Sequence, residues 1–148
     1  MAEFEVKELG ALLAEKGYIR GPFGSALKRG ELAEEGIPVY EQKNAIENTR
    51  EFRFFLAPEQ FEELKRFQVQ TNDLIISCSG TVGKISIIHE NDPKGIISQA
   101  LLILRPDVQK ITLKYLYYFL SSRQGFHLIT QASHGSVQVN IAERQVVE

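Results

Sequence analysis

Residues 74–88 constrain the fold more than any other part of the chain. Leu74-Ile75-Ile76-Ser77-Cys78-Ser79 is an apolar, β-prone run, Gly80-Thr81-Val82-Gly83 supplies a glycine reversal, and Lys84-Ile85-Ser86-Ile87-Ile88 returns. Two such arms around a tight turn predict a hairpin whose first arm is a buried strand. Other short strands are expected at Ile37-Pro38-Val39-Tyr40, Phe52-Arg53-Phe54-Phe55-Leu56, Ile96-Ile97 and Ala100-Leu101-Leu102-Ile103-Leu104-Arg105, the last closed by Pro106.

Helical spacing appears elsewhere. Leu9, Leu12 and Leu13 predict a helix over residues 6–16 that stops at Gly17. Ala57-Pro58-Glu59 opens another, with Phe61, Leu64 and Phe67 on one face. Thr112 can cap a helix striped by Leu113, Leu116, Tyr117 and Leu120. Phe126, Leu128 and Ile129 suggest a second, shorter helix ending near residues 133–136. Strands come in runs with helices set apart, so the expected class is α+β: a mixed twisted sheet with hairpins and a C-terminal helical pair. With no repeat, low-complexity tract or linker, all 148 residues are expected to form one domain.

No apolar run approaches the ~20 residues of a membrane span. The start, Met1-Ala2-Glu3-Phe4-Glu5, is acidic and has no apolar core, so no secretory signal is expected. The lone Cys78 excludes an internal disulfide framework and a cysteine-based zinc finger. These features lead to the expectation of a cytoplasmic protein. The net charge of −2 argues against a non-specific, polycationic nucleic-acid binder. The average hides an asymmetry: residues 1–73 hold 10 basic against 14 acidic residues, and residues 74–142 hold 6 against 3. Between Asp107 and Glu143 there is no carboxylate, while Lys110, Lys114, Arg123, His127 and His134 lie there. Such a stretch can face an anion without repelling it, and chance clustering explains it equally well.

Individual motifs exclude more than they establish. Gly80-Thr81-Val82-Gly83-Lys84 lacks the spacing, the hydroxyl after lysine and the following helix that a nucleotide-binding phosphate loop requires. It remains a hairpin tip whose Thr81 and Lys84 can donate to a phosphate backbone. Cys78 with His89 or His134 could form a thiol nucleophile and base, but a cysteine in an apolar strand reads as packing. His89, His127 and His134 share no metal-ligand spacing. Glu63-Leu64-Lys65 has the spacing of a nuclease carboxylate and lysine but lacks an upstream aspartate, and it lies on the amphipathic helix. His134-Gly135-Ser136-Val137-Gln138-Val139-Asn140 is a carboxylate-free loop with amide side chains of the kind that pair with adenine edges. A helix-ending turn before a last strand is an equal reading of it.

Seven blocks in order carry a wider resemblance: Gly21-Pro22-Phe23-Gly24-Ser25-Ala26-Leu27-Lys28, Gly36-Ile37-Pro38-Val39-Tyr40, Asp73-Leu74-Ile75-Ile76-Ser77, Ser79-Gly80-Thr81-Val82-Gly83-Lys84, Ala100-Leu101-Leu102-Ile103-Leu104-Arg105-Pro106, Tyr115-Leu116-Tyr117-Tyr118-Phe119-Leu120 and Gly135-Ser136-Val137-Gln138-Val139-Asn140-Ile141. Together they resemble the target recognition domain of a type I restriction–modification DNA specificity subunit, over almost the whole chain. The resemblance implies a non-catalytic reader of double-stranded DNA. Such subunits carry two recognition domains separated by long helices that dock methyltransferase subunits, with the restriction subunit engaged indirectly. Here one recognition unit stops at Val146-Val147-Glu148, before the spacer helix, so half of such a subunit is expected, with methyltransferase docking only if the native chain carries that helix. A homodimer would restore two halves.

An adenine methyltransferase needs an Asn/Asp-Pro-Pro-aromatic loop; Asn91-Asp92-Pro93-Lys94 lacks the second proline and the ring. No cofactor, metal or catalytic residue is therefore expected. The expected DNA contacts are polar donors in or beside the matching loops: Ser25, Lys28, Gln42, Lys43, Asn44, Thr81, Lys84, His134, Ser136 and Gln138. Two other classes compete: a protein-interaction or ligand-binding α+β domain using the acidic first half, and a small hydrolase built on Cys78 and His134.

Overall fold

A computed structural model describes residues 7–22, 35–130 and 146–147. In chain order the strands are β1 (Lys7–Glu8), β2 (Leu13–Arg20), β3 (Ile37–Tyr40), β4 (Phe55–Leu56), β5 (Leu74–Ser77), β6 (Ile85–Ile87), β7 (Ile96–Ile97), β8 (Leu101–Pro106) and β9 (Val146–Val147). The helices are α1 (Gln42–Ile46), α2 (Pro58–Glu63), α3 (Leu113–Ser121) and α4 (Arg123–Thr130). Strands β2-β8-β5-β6 form an antiparallel four-stranded sheet. A three-stranded sheet, β4-β3-β7, supplies the mixed character, since β3 runs antiparallel to β4 and parallel to β7. Strand β1 pairs with β9. Among the described residues no helix is long and apolar enough to cross a membrane.

The two central strands explain their own sequences. Leu74, Ile75, Ile76 and all of Leu101, Leu102, Ile103 and Leu104 are 0% exposed, because both faces of the sheet are covered. Side chains alternate across a strand, so they divide between two cores. Leu74, Ile76, Leu102 and Leu104 pack with Leu9, Leu12, Leu116, Leu120 and Ile129. Ile75, Leu101 and Ile103 pack with Tyr40, Leu56, Phe61 and Phe67. Each such aliphatic side chain contributes about 1.5–3 kcal/mol by leaving water. Truncating Ile103 to alanine removes about 2–5 kcal/mol, since the tightly packed sheet cannot collapse around the void.

The expected helix over residues 6–16 is not formed. Leu9–Leu12 make a 3₁₀ turn, and Leu13–Arg20 enter the sheet as β2 beside β8. The leucines still reach the core they were expected to fill, but backbone pairing with β8 outweighs the local helical pattern. The register shifts between Leu13 and Tyr18, where Lys16 takes φ +53° and a side chain on Gly17 would meet the Arg105 carbonyl at 2.6 Å. Gly17 thus belongs to a bulge, not to a helix end.

The strand expected over residues 52–56 shrinks to Phe55–Leu56. Asn44 Nδ2 donates to the Glu51 carbonyl at 3.0 Å, drawing the preceding chain toward α1, an element the sequence pattern did not suggest. The helix opened by Pro58 keeps its buried face of Phe61, Leu64 and Phe67, with a 3₁₀ turn at Lys65–Phe67; Glu63 and Lys65 point to solvent.

Candidate nucleic-acid interface

The β5–β6 hairpin is closed by Ser77. The Gly83 amide donates to the Ser77 carbonyl at 2.8 Å, the Ser77 amide donates to the Lys84 carbonyl at 2.9 Å, and the Lys84 amide donates to Ser77 Oγ at 2.9 Å. The reversal requires φ +64° at Gly80 and +83° at Gly83, a region that glycine enters without strain. A Cβ on Gly83 would lie 2.5 Å from the Phe126 ring, so this glycine lets the hairpin lie under α4. Ser79, Gly80 and Thr81 are exposed at the tip, and Lys84 is exposed on the returning arm.

Helix α1 reaches the same tip. Gln42 Nε2 sits 3.2 Å from where a Cβ on Gly80 would be. The helix begins as Asn44 Oδ1 accepts the Glu41 amide at 2.7 Å; Asn44 Nδ2 donates to the Thr49 and Glu51 carbonyls. The following loop is tied to β6 by Arg50 and by a 2.5 Å hydrogen bond from Ser86 Oγ to Asn48 Oδ1.

Between α1, β6 and the α3–α4 corner lies an open groove of about 720 Å³. Ala45–Asn48 form one side and Gly83, Lys84, Tyr117, Ser122, Arg123 and Phe126 form much of the other. Lys84 and Arg123 are exposed, and among the described residues neither has a carboxylate partner; Glu47 is the one acid in the lining. The α3–α4 corner is tight: Ser122 Oγ donates to the Phe119 carbonyl at 2.5 Å and accepts the Gly125 amide at 3.1 Å. The groove therefore offers two free cations, hydroxyls and a half-exposed aromatic ring on a fixed wall. Those groups suit an anionic, partly apolar polymer better than an enclosed small molecule.

No protein-family model matches the sequence, and no curated protein matches it. Its similarity lies in three dimensions. A chain from the type I R-M system, solved to show complex assembly and conformational transition, superposes with TM-score 0.69 over 97% of this chain at 17% identity. The HsdS subunit of Thermoanaerobacter tengcongensis gives TM-score 0.63 over 93% at 17% identity. The type I restriction–modification S subunit of M. genitalium gives 0.61 over 97% at 18% identity. The fold is similar to part of a type I specificity subunit. The chain spans about a third of the length of those chains, 33%, 31% and 33% respectively.

On this specificity-subunit fold the sequence candidates separate. Gln42, Thr81 and Lys84 come together around the hairpin tip. Lys43 is exposed, but its Nζ lies 3.2 Å from Glu51 and 4.0 Å from Glu47. Asn44 is a correction: it is 1% exposed and its side-chain amide is committed to the backbone of Glu41, Thr49 and Glu51 on either side of α1, so it shapes the arm and presents nothing to a ligand. Ser25, Lys28, His134, Ser136 and Gln138 lie outside the described residues. Arg123, Ser122, Phe126 and Asn48 were not foreseen as groove residues. The carboxylate-free stretch after Asp107 was the one signal that pointed at Arg123.

Cys78 is buried, and burial pushes its thiol up to about 11, against the pull of Arg20. A nucleophile requires the reverse shift.

Proposed function

We propose that this chain reads double-stranded DNA as a target recognition unit of a type I restriction–modification specificity subunit, and has no catalytic role of its own. The observation that carries the reading is the similarity of 93–97% of the chain to part of two type I S subunits, at 17–18% identity. The groove supports it: Lys84 and Arg123 would meet phosphates, and Gln42 and Thr81 at the hairpin tip would reach base edges. Ser25, Lys28, Lys43, His134, Ser136 and Gln138 remain proposed contacts from the sequence alone. The partners proposed with it are a methyltransferase subunit, a restriction subunit reached indirectly, and a second recognition unit supplied by a longer chain or by homodimerisation. The proposed location is the cytoplasm. A single unit whose groove offers two free cations among the described residues would bind weakly, and a second unit would raise affinity through effective concentration.

The test is enrichment of a randomised duplex pool on the purified chain, followed by titration against salt. A DNA reader returns one motif that outcompetes the unselected pool, and its affinity falls steeply with salt. A pool that stays random at low salt, with no difference between duplexes, contradicts the reading.

A further inference from the structure

Resting on the DNA-reading role proposed above, we infer that Arg50 is a positioning residue: it fixes the α1 arm against the edge of the four-stranded sheet and so sets the width of the groove across which bases are discriminated. Helix α1 has five residues, with only Asn44 and Ala45 buried, so its placement depends on polar bonds more than on packing. Arg50 makes those bonds to three segments at once. Its Nη1 donates to the Thr49 carbonyl at 2.9 Å and reaches the Asn44 carbonyl at 3.4 Å. Its Nη2 donates to Ser86 Oγ and to the Ile87 carbonyl, both at 3.0 Å, on the free edge of β6.

Its Nε lies 3.1 Å from Asp92 Oδ1 in the next turn, paired by charge without an aligned hydrogen bond. The guanidinium also lies 5.7 Å from the centre of the Tyr40 ring. Ser86 Oγ is shared with Asn48, which adopts φ +53°, so the loop after α1 is gripped from two sides. Arg50 itself does not line the groove, whereas Asn48, Ser86 and Ile87 do. A planar fork that bridges three carbonyls, a hydroxyl and a carboxylate has no lysine equivalent, because an ammonium offers three donors from one point.

The experiment uses duplexes enriched by the unaltered chain, titrated beside the unselected pool with that chain and with Arg50→Lys. Charge is kept in Arg50→Lys, so the salt slope should be unchanged. The ratio of motif to pool affinity should fall about tenfold, the scale of one lost base contact. Amides of residues 42–49 should exchange faster while those of β5 and β8 stay protected. A retained ratio overturns the inference whatever happens to Tm. Should Arg50→Lys loosen β5 and β8 as well, Ser86→Ala removes only the shared hydroxyl and must lower the ratio in the same direction; an unchanged ratio there also overturns it. Failure of the underlying role shows earlier and separately, as an unaltered chain that enriches no motif, and the inference falls with it.

Discussion

On the α1 side of the groove each cation faces a carboxylate: Lys43 meets Glu51 and Glu47, Arg53 meets Glu41 at 2.7 Å, and Arg50 meets Asp92. On the side made by the hairpin and the α3–α4 corner, Lys84 and Arg123 have no such partner among the described residues. The exposed pairs contribute little to stability, about 0–1 kcal/mol each. Their effect on an approaching polyanion is larger, because a neighbouring carboxylate offsets much of each cation's attraction. The hairpin side should therefore hold phosphate, while the α1 side serves shape and base readout.

The largest expected effect breaks that division directly. Lys84→Ala with Arg123→Ala should lower duplex affinity about tenfold or more and reduce the slope of log K against log salt by about 1.8, if each cation meets one phosphate. Fluorescence anisotropy across a salt series measures both. An unchanged slope would place the phosphate contacts elsewhere.

Next in size is Gly83→Ala. The φ of +83° and the Phe126 ring 2.5 Å from the new methyl should together cost about 1–3 kcal/mol. Thermal unfolding reads this as a lowered Tm. The same variant should weaken binding through the hairpin side and leave the α1 ion pairs intact.

The α1 side supplies the smaller, opposite result. Lys43→Ala should change duplex affinity less than about twofold, because its charge is already met. Glu51→Gln with Glu47→Gln should free that lysine and steepen the salt slope by up to about one contact. Equal losses from Lys43→Ala and Lys84→Ala would erase the contrast between the two sides.

Acid should reach the α1 side through Asp92. Burial raises its carboxyl pKa, but the His89 amide at 2.8 Å and the Arg50 guanidinium outweigh that, leaving it below the ordinary carboxylate range. A depressed carboxyl contributes stability above its unfolded value of about 3.9 and loses it as pH falls through the lower folded value. Faster amide exchange in residues 42–49 should therefore appear only below about pH 4. Loosening already at pH 6 would mean that another group holds the arm.

Much of the fold was legible because apolar runs and glycine turns report burial and reversal locally. The hairpin, the helix opened by Pro58 and the paired helices after Thr112 follow that pattern. Residues 6–16 misled because three leucines at helical spacing also suit a 3₁₀ turn leading into an edge strand, and only the presence of β8 decides between them. Helix α1 was hidden because Asn44 and Arg50 stabilise it through bonds to carbonyls, which leave no hydrophobic period to read.

The candidate site was legible in part. Thr81 and Lys84 sit on a recognisable turn, whereas the pairing of Lys43 and the burial of Asn44 depend on residues brought in from Glu47 to Glu51. Arg123 was visible as a cation in a carboxylate-free stretch, but its place across from α1 is a property of the assembled sheet and helices.

The most direct measurement is a hydrogen-exchange footprint of the chain with and without its enriched duplex. Exchange should slow over residues 79–89 and 121–127 and stay unchanged over residues 58–67, where α2 presents Glu59, Glu62 and Glu63. Protection over residues 58–67 with none at the hairpin and the α3–α4 corner would contradict it.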